Sequence, residues 1–285
     1  MIEVEDLSFT YPGAAAPTLD RLNFSIGRGE VYGLLGPSGA GKSTTQRILM
    51  GLLTGFSGTV TVFGGRIGAH GRAYYERIGV SFELPALYLR LTARENLKLF
   101  AALYDRPTRD PAEVLALVDL AEAAHQRVET FSKGMKMRLN LCRALLHDPE
   151  LLFLDEPTTG QDPARARLTR ELILRLKEEG KTVFLTTHNM AEAAEICDRV
   201  GFLARGHIPV TGTPRALMRE YGERQLEVTT VNGAGTATAR FPMEEIGRNE
   251  AFLALIASRE VVAMHTLEAS LDDVFIRATG RKGGT

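Results

Sequence analysis

Apolar and polar residues alternate in several short stretches near the start of the chain, with the period of two that is typical of a half-buried strand. The alternation predicts strands over Ile2 to Phe9, Leu22 to Ile26 and Thr59 to Phe63. Since one face of each strand would be apolar and the other polar, we expect these strands to pair as an antiparallel layer.

A second kind of segment is apolar over most of its length. Val31 to Leu35 and Leu151 to Leu154 have this pattern, and Thr182 to Thr187 is predicted to be a third strand of the same kind. Strands of a parallel sheet are buried on both faces and therefore show continuous apolar runs. Alternating with helical segments, these strands predict an α/β fold.

Helical periodicity dominates from about residue 84 to residue 149, which we take as a helical subdomain. Its clearest helix follows Gly134, where apolar residues recur at spacings of four, three and four: Met135, Leu139, Cys142 and Leu146. A further helix over Pro163 to Glu179 is predicted to stop at Gly180.

The character of the chain changes after Gly212. The predicted elements there are strands over Gln225 to Val231 and Thr236 to Phe241 around a turn at Asn232-Gly233, a helix over Met243 to Ser258, a strand over Val261 to Leu267 and a helix over Leu271 to Thr279. We therefore predict two domains, a larger one over residues 1 to 212 and a small α+β C-terminal domain over residues 213 to 285. The tail from Arg281 is predicted to fray.

Candidate chemistry begins directly after the strand Val31 to Leu35, where the chain reads G-P-S-G-A-G-K-S-T before a helix predicted over Thr44 to Leu53. This segment fits the phosphate-loop pattern G-x-x-x-x-G-K-[ST] in its expected strand-loop-helix setting. Glycines let backbone N–H groups wrap a phosphate chain, and the positive end of the following helix adds to the same site. The candidate nucleotide-binding residues are Gly36, Pro37, Ser38, Gly39, Ala40, Gly41, Lys42, Ser43 and Thr44.

Two residues of this loop have more specific roles in the hypothesis. Lys42 would reach the β- and γ-phosphates and take part in catalysis, while the Ser43 hydroxyl would bind Mg²⁺. The alternative is a glycine loop that matches the pattern by chance.

Asp155 and Glu156 follow the buried strand Leu151 to Leu154, which would place both carboxylates at the carboxyl end of the sheet, where open α/β sheets bind their ligands. Asp155 would orient Mg²⁺, and Glu156 would polarise an attacking water. The alternative is an exposed acidic pair that caps the turn at Pro157.

Composition and net charge are those of an ordinary globular protein. The 285 residues are 44% hydrophobic and 24% charged, as in ordinary globular proteins, and the net charge of −1 gives no general footprint for nucleic acid. The two cysteines are too few for a disulfide framework and favour a reducing cytoplasm. The most apolar long segment, Leu84 to Tyr104, contains charged residues, so we expect no membrane span and no signal peptide.

The phosphate loop, the Asp155-Glu156 pair and several further motifs follow one another along the chain as in the nucleotide-binding subunits of ATP-binding cassette (ABC) transporters, which the chain resembles over roughly residues 1 to 212. F-S-K-G-M-K, from Phe131 to Lys136, is similar to the family's signature loop, and T-T-G-Q-D, from Thr158 to Asp162, is similar to its D-loop. His188 matches the switch histidine, and Tyr11 matches the aromatic residue that stacks on adenine. Glu83 stands where the family usually has a glutamine that senses Mg²⁺ and contacts the membrane partner.

The resemblance implies a phosphate-loop ATPase core with an antiparallel β layer and a helical subdomain. It also implies that two copies, or this chain and a paralogue, sandwich two Mg·ATP molecules and drive a separate transmembrane permease from the inner face of the membrane. Ser132, Gly134 and Asp162 would then contribute to ATP binding, Glu83 would join Ser43 and Asp155 at the metal, and His188 would contact the γ-phosphate. No nucleic acid partner is expected.

Each of these residues also has a plainer interpretation. Tyr11 could be a half-buried aromatic at a strand end, His188 a core histidine with satisfied hydrogen bonds, and Ser132 a helix N-cap. Leu84 to Leu91, which follows Glu83, could dock the permease or could pack into the helical subdomain.

Departures from the family pattern point to one branch of it. Lys133 and Met135 replace the usual second glycine and glutamine of the signature loop, a variant that resembles exporters for drugs, polyketides or polysaccharides. Gln161 stands where leucine is common, Met137 where glutamine is expected, and Glu83 adds negative charge beside ATP. Two alternative functions stay open, a cassette ATPase that acts on ribosomes or DNA and a phosphate-loop kinase for a small metabolite.

Overall fold

The computed structural model describes residues 1–69, 71–221, 225–232, 235–267 and 269–280. The chain divides into two compact units, Met1–Thr211 and Gly212–Thr285. Part of the predicted turn at Asn232-Gly233 and the predicted tail from Arg281 lie outside the described residues.

Two sheets form the framework of the first unit. Their strands are β1 Ile2–Phe9, β2 Leu19–Ile26, β3 Val31–Leu35, β4 Ser57–Val62, β5 Gly65–Arg66, β6 Ile78–Ser81, β7 Leu151–Asp155, β8 Thr182–Thr187, β9 Arg199–Ala204 and β10 His207–Gly212. The antiparallel sheet has the order β2-β1-β4-β5, and the larger sheet has the order β10-β9-β3-β8-β7-β6. In the larger sheet the pairs β6·β7, β7·β8, β8·β3 and β3·β9 are parallel.

The two sheets share an aromatic core. Phe24 on β2 stacks on Tyr32 of β3 with 5.5 Å between ring centroids, and Tyr32 stacks on Phe184 of β8 at 6.3 Å. All residues of β3, β7 and β8 are buried, as the continuous apolar runs predict, whereas β1 and β2 alternate between buried and more exposed positions. The antiparallel sheet therefore packs on the central strands of the larger sheet.

Side-chain caps define most helix starts in the first unit. Thr92 and Glu95 form a capping box, and Asp110, Ser132, Asp162 and Asn189 each accept a hydrogen bond from a backbone N–H of the first turn. The helices are α1 Lys42–Leu49, α2 Arg72–Tyr75, α3 Ala93–Ala101, α4 Pro111–Leu117, α5 Lys133–Leu145, α6 Pro163–Glu178 and α7 Met190–Ile196.

The elements of the second unit are α8 Pro214–Tyr221, β11 Gln225–Asn232, β12 Gly235–Pro242, α9 Glu250–Ser258, β13 Val261–Leu267 and α10 Leu271–Thr279. Its three strands form an antiparallel sheet of order β12-β11-β13.

One helix prediction in the second unit is wrong at its start. The α-helix begins at Glu250 and not at Met243, because the Asn249 side chain accepts a hydrogen bond from the backbone N–H of Phe252 at 3.0 Å and caps it there. A short 3₁₀ turn, Ile246–Arg248, precedes the cap. Within the part of the chain that the structure describes, no helix combines the length and apolarity needed to cross a bilayer.

Candidate nucleotide-binding and catalytic site

The phosphate loop connects β3 to α1 and is held closed by its own lysine. Lys42 Nζ donates to the carbonyl oxygens of Gly36 at 2.6 Å and Pro37 at 3.1 Å. The helix begins at Lys42, two residues before the predicted start, and ends at Leu49 instead of Leu53. The Lys42 ammonium and the N-terminus of α1 therefore belong to the same loop, as in anion sites at helix N-termini.

Two glycines of the loop are required by their surroundings. Gly41 has φ of 110°, and a Cβ there would lie 2.6 Å from Leu19 Cδ2. A Cβ on Gly36 would overlap the carbonyl oxygen of Leu203 on β9. Any side chain at these positions would displace the loop from the sheet.

The charges around Lys42 come from the carboxyl ends of neighbouring strands. Burial lowers the pKa of Lys42, and the carboxylates of Glu156, Asp155 and Glu83 oppose that shift. The three acidic residues predicted to surround the phosphates are thus close enough to act on the lysine. The arrangement suits a ligand that carries both phosphate charge and a divalent cation.

Asp155, the last residue of β7, lies beside the serine of the phosphate loop. Ser43 Oγ is 3.5 Å from Asp155 Oδ2, and the hydroxyl of Thr186 at the end of β8 donates to Asp155 Oδ1. Burial raises the pKa of Asp155, the Thr186 hydrogen bond lowers it, and Glu83 and Glu156 raise it. A hydroxyl and a carboxylate side by side are oxygen donors of the kind that Mg²⁺ accepts together with substrate phosphates.

Glu156 is buried and has φ of 49°, a left-handed conformation that is uncommon for a non-glycine residue. Its Oε2 accepts a hydrogen bond from the Thr187 hydroxyl at 3.0 Å, and its Oε1 accepts from the backbone N–H of His188 at 3.0 Å. Its own N–H donates to the carbonyl oxygen of Thr186 at 2.9 Å. Glu156 is therefore held by the end of β8 and does not act as an exposed turn cap.

His188 follows β8 and contacts the same carboxylate. Its Nδ1 lies 2.7 Å from Glu156 Oε1, so that Nδ1–H donates to the carboxylate and Nε2 is left to contact a ligand. The His188 side chain is 63% exposed. Its exposure argues against the interpretation as a core histidine.

Tyr11 lies against the first turn of α1. Its hydroxyl is 3.2 Å from the hydroxyl of Thr44, and its ring packs edge to face on Phe9 with 4.8 Å between centroids. One ring face of a partly buried tyrosine beside the phosphate loop can stack on a purine.

The signature and D-loop residues lie next to each other, and no hydrogen bond joins either loop to the phosphate loop among the described residues. A Cβ on Gly134 would be 2.9 Å from the carbonyl oxygen of Gly160, and Lys133 packs on Gly160. Ser132 is exposed and caps α5 by accepting from Met135 N at 3.2 Å, and Asp162 caps α6 in the same way through Arg165 N at 3.1 Å. Two helix N-termini are therefore presented on one side of this chain.

Sequence reasoning missed Thr186 and Thr187, whose hydroxyls donate to the carboxylates of Asp155 and Glu156. The available signal was the pair of hydroxyl residues at the carboxyl end of β8, of which Thr186 is in register with Asp155 on the neighbouring strand. Polar residues at that end of a buried parallel strand indicate a ligand site.

The fold and this arrangement of side chains define a phosphate-loop ATPase site. The ABC transporter family model matches residues 19–159, which include the phosphate loop and the Asp155-Glu156 pair. The chain belongs to the ABC transporter family, as relatives of more than 30% identity over nearly its whole length establish.

A fluoroquinolones export ATP-binding protein of Mycobacterium tuberculosis is 50% identical over 283 residues, which cover 99% of this chain and 94% of the relative. A linearmycin resistance ATP-binding protein of Bacillus subtilis is 38% identical, with coverage of 95% and 85%. The Nod factor export ATP-binding protein I of Sinorhizobium fredii is 38% identical, with coverage of 99% and 86%.

Solved structures give the same family. The ATP-binding subunit of an ABC transporter superposes with a TM-score of 0.70 at 32% identity, covering 78% of this chain and 93% of the other. A dimeric ATP-binding cassette in a post-hydrolysis state bound to ADP and Pi gives 0.68 at 26% identity, with coverage of 75% and 98%. The predicted family, fold class, ATP binding and ATPase activity are thereby confirmed.

Proposed function

We propose that this chain is the ATP-hydrolysing subunit of an ABC exporter and powers a separate transmembrane permease from the cytoplasmic face of the membrane. The observation that carries the proposal is the buried Glu156 carboxylate, held by Thr187 and His188 beside the phosphate loop. A carboxylate fixed at this place can accept a proton from a water that attacks the γ-phosphate. The names of the relatives favour export and do not favour a ribosome or DNA substrate.

The chain's own residues account for binding of the nucleotide. The loop from Gly36 to Gly41 would wrap the phosphates with backbone N–H groups, and Lys42 would exchange its two carbonyl acceptors for phosphate oxygens. Tyr11, anchored on Thr44, would stack on the adenine.

Residues suited to Mg²⁺ are present at the same place. The Ser43 hydroxyl and the Asp155 carboxylate would hold it, with Glu83 as an additional acidic group in place of an amide. When bound, Mg²⁺ neutralises charge on the outer phosphates as the γ-phosphoryl leaves. Glu156 would remove the proton from water, and His188, oriented by its Nδ1 contact with Glu156, would present Nε2 to a γ-phosphate oxygen.

A second subunit would complete each site. Ser132 and Gly134 at the start of α5, and Asp162 at the start of α6, lie together in this chain and would face ATP bound to a second copy or a paralogue. The N-terminal end of α5 would supply positive potential to the γ-phosphate of the other subunit.

The surface beside Glu83 suits the permease. Leu84 is 81% exposed and Tyr88 is 54% exposed, which favours docking over packing into the helical subdomain. An adjacent groove of about 350 Å³ is lined mainly by apolar side chains, among them Tyr75, Phe100 and Leu103, with Arg72, Glu76 and Arg143 also in its lining. Arg143 donates to the carbonyl oxygen of Ala86 and so joins the groove to this segment.

Glu156→Gln tests the proposal. The variant should bind ATP as the parent does and hydrolyse it about 10²-fold to 10⁴-fold more slowly, because the amide cannot accept the proton. It should also accumulate an ATP-dependent dimer in size exclusion, and Ser132→Arg on this background should prevent that dimer. Hydrolysis within about threefold of the parent would overturn the assignment of the base. A normal dimer with Ser132→Arg would overturn the shared site.

A further inference from the structure

The proposed mechanism does not use one buried carboxylate, which contacts the chain just after Glu156. Glu192 on α7 is 3% exposed, and its Oε2 accepts a hydrogen bond from the hydroxyl of Thr158 at 2.7 Å. Thr158 is the second residue after Glu156 and the first of the D-loop. Thr158 and Glu192 are 34 residues apart in the sequence.

The contact closes a ring of hydrogen bonds around the catalytic carboxylate. Glu156 accepts from the Thr187 hydroxyl, Thr187 Oγ1 accepts from the N–H of Asn189 at 3.0 Å, and Asn189 accepts from the N–H of Glu192 at 3.1 Å. The Glu192 side chain then returns to Thr158, two peptide units from Glu156. The loops after β7 and β8 are thus tied together at two points.

The burial of the Glu192 carboxylate is unfavourable for the stability of the fold. Its Oε1 is buried and has no hydrogen-bond partner among the described residues. Burial raises the pKa of Glu192, the Thr158 hydrogen bond and Arg170 lower it, and the nearby charges of Glu156 and Glu195 raise it again. A buried acid that is only half satisfied needs a reason other than packing.

The backbone of Glu156 supplies that reason. A non-glycine residue in the left-handed conformation is strained and keeps it only when the surrounding structure fixes the chain on both sides. The N–H of Glu156 is fixed on β8. On the other side, Gln161 Nε2 donates to the carbonyl oxygen of Pro157 at 2.8 Å within the loop, and Thr158 makes the side-chain hydrogen bond that joins the loop to α7. Release of Thr158 would let Glu156 relax and turn its carboxylate from the γ-phosphate.

We propose that Glu192 is a positioning residue for ATP hydrolysis, which anchors Thr158 and thereby fixes the chain that leaves Glu156 toward the D-loop. The inference rests on the proposed role of Glu156 as the base. It predicts an effect on kcat with little effect on the KM for ATP, because neither Thr158 nor Glu192 belongs to the phosphate loop.

A double-mutant cycle on the full-length chain tests the inference, with Thr158→Val, Glu192→Leu and the combination of both. Each single variant should lower kcat about tenfold with KM within about twofold, and the combination should lose no more than the worse single variant, because both remove one hydrogen bond. Thr158→Ser, which restores the hydroxyl, should keep kcat within about twofold of the parent. Glu195→Gln, an exposed carboxylate on the same helix, should do the same.

Three results would overturn the inference. The first is a kcat for Thr158→Val within about twofold of the parent. The second is a double variant whose loss of kcat is the product of the two single losses, and the third is a change in the KM for ATP that exceeds the change in kcat. Thr158→Val keeps the volume of the side chain, so the inference is still tested if Glu192→Leu does not fold.

Glu156→Gln in the same assay separates the positioning role of Glu192 from the role of Glu156 as the base. If it is inactive and Thr158→Val is unaffected, only the positioning role fails, and if it hydrolyses ATP normally, the proposed base fails.

Discussion

Asn96 holds the segment that we propose for permease docking. Its side chain is fully buried on α3, and its Oδ1 accepts from the N–H of Tyr88 at 2.8 Å. Its Nδ2 donates to the carbonyl oxygens of Tyr88 and Thr92, both at 2.9 Å. The Asn96 amide therefore holds the backbone at Tyr88, and Arg143 holds it at Ala86.

Asn96→Ala removes three well-formed hydrogen bonds. At a net value of about 0.5–1.5 kcal/mol each, the change should destabilise the first unit by about 1.5–4.5 kcal/mol. Asn23→Ala is a matched control, since Asn23 also makes three hydrogen bonds, between 2.9 and 3.2 Å, but is exposed. Water can replace those partners, so we expect a loss of only about 1 kcal/mol or less.

Urea unfolding measures the global effect, and hydrogen exchange of the Tyr88 amide measures the local one, because that N–H donates directly to Asn96. Exchange at Tyr88 should accelerate in Asn96→Ala and stay slow in Asn23→Ala. Tyr88→Asp should keep the amide protected, since its backbone bonds remain, and should still lose co-purification with the permease. Parental exchange at Tyr88 in Asn96→Ala, or a stability loss no larger than that of Asn23→Ala, would refute this reasoning.

Two further predictions concern the charges at the nucleotide site. Glu83→Gln should raise ATP affinity in the presence of a chelator by about threefold to tenfold, roughly 1 kcal/mol, because one negative charge near the phosphates is removed; an unchanged or weaker affinity in a nucleotide-binding titration would contradict the placement of Glu83. Asp155→Asn should raise the Tm measured without added nucleotide or Mg²⁺, and the gain should be larger at pH 8 than at pH 4. The raised pKa of Asp155 means that the folded chain binds more protons than the unfolded chain, so that its stability falls as pH rises through that pKa; a Tm below that of the parent at pH 8 would count against it.

Strong periodicity and local motifs made much of the fold predictable. β8, β13 and α10 lie at the predicted residues, because each has a clear apolar pattern between polar boundaries. The start of α9 was missed because Met243 to Arg248 is compatible with a helix in composition. The side chain of Asn249, and not the apolar pattern, decides where the α-helix begins.

Some residues of the candidate site could be predicted from local patterns, and others depend on tertiary contacts. The clustering of Lys42, Asp155 and His188 could be predicted, since β3, β7 and β8 are buried parallel strands whose carboxyl ends lie at one edge of the sheet. Asn96 and Glu192 could not, because a polar residue on a short helix is ordinarily exposed and their partners are set by tertiary packing. Nothing in the local sequence distinguishes Glu192, which is buried, from Glu195 on the same helix, which is exposed at 52%.

Two kinds of contact hold the predicted groups in place. Lys42 is positioned by its own loop, so changes there should act first on ATP binding. Glu156 is positioned by β8 and, through Thr158, by α7, so changes at those contacts should act on the chemical step. Because an interaction made only in the transition state lowers kcat and kcat/KM equally when it is lost, the two kinds of contact are separable by kinetics. The sheet brings the proposed catalytic groups to one edge, and buried side-chain hydrogen bonds from neighbouring elements hold Glu156 in the strained conformation that its proposed role requires.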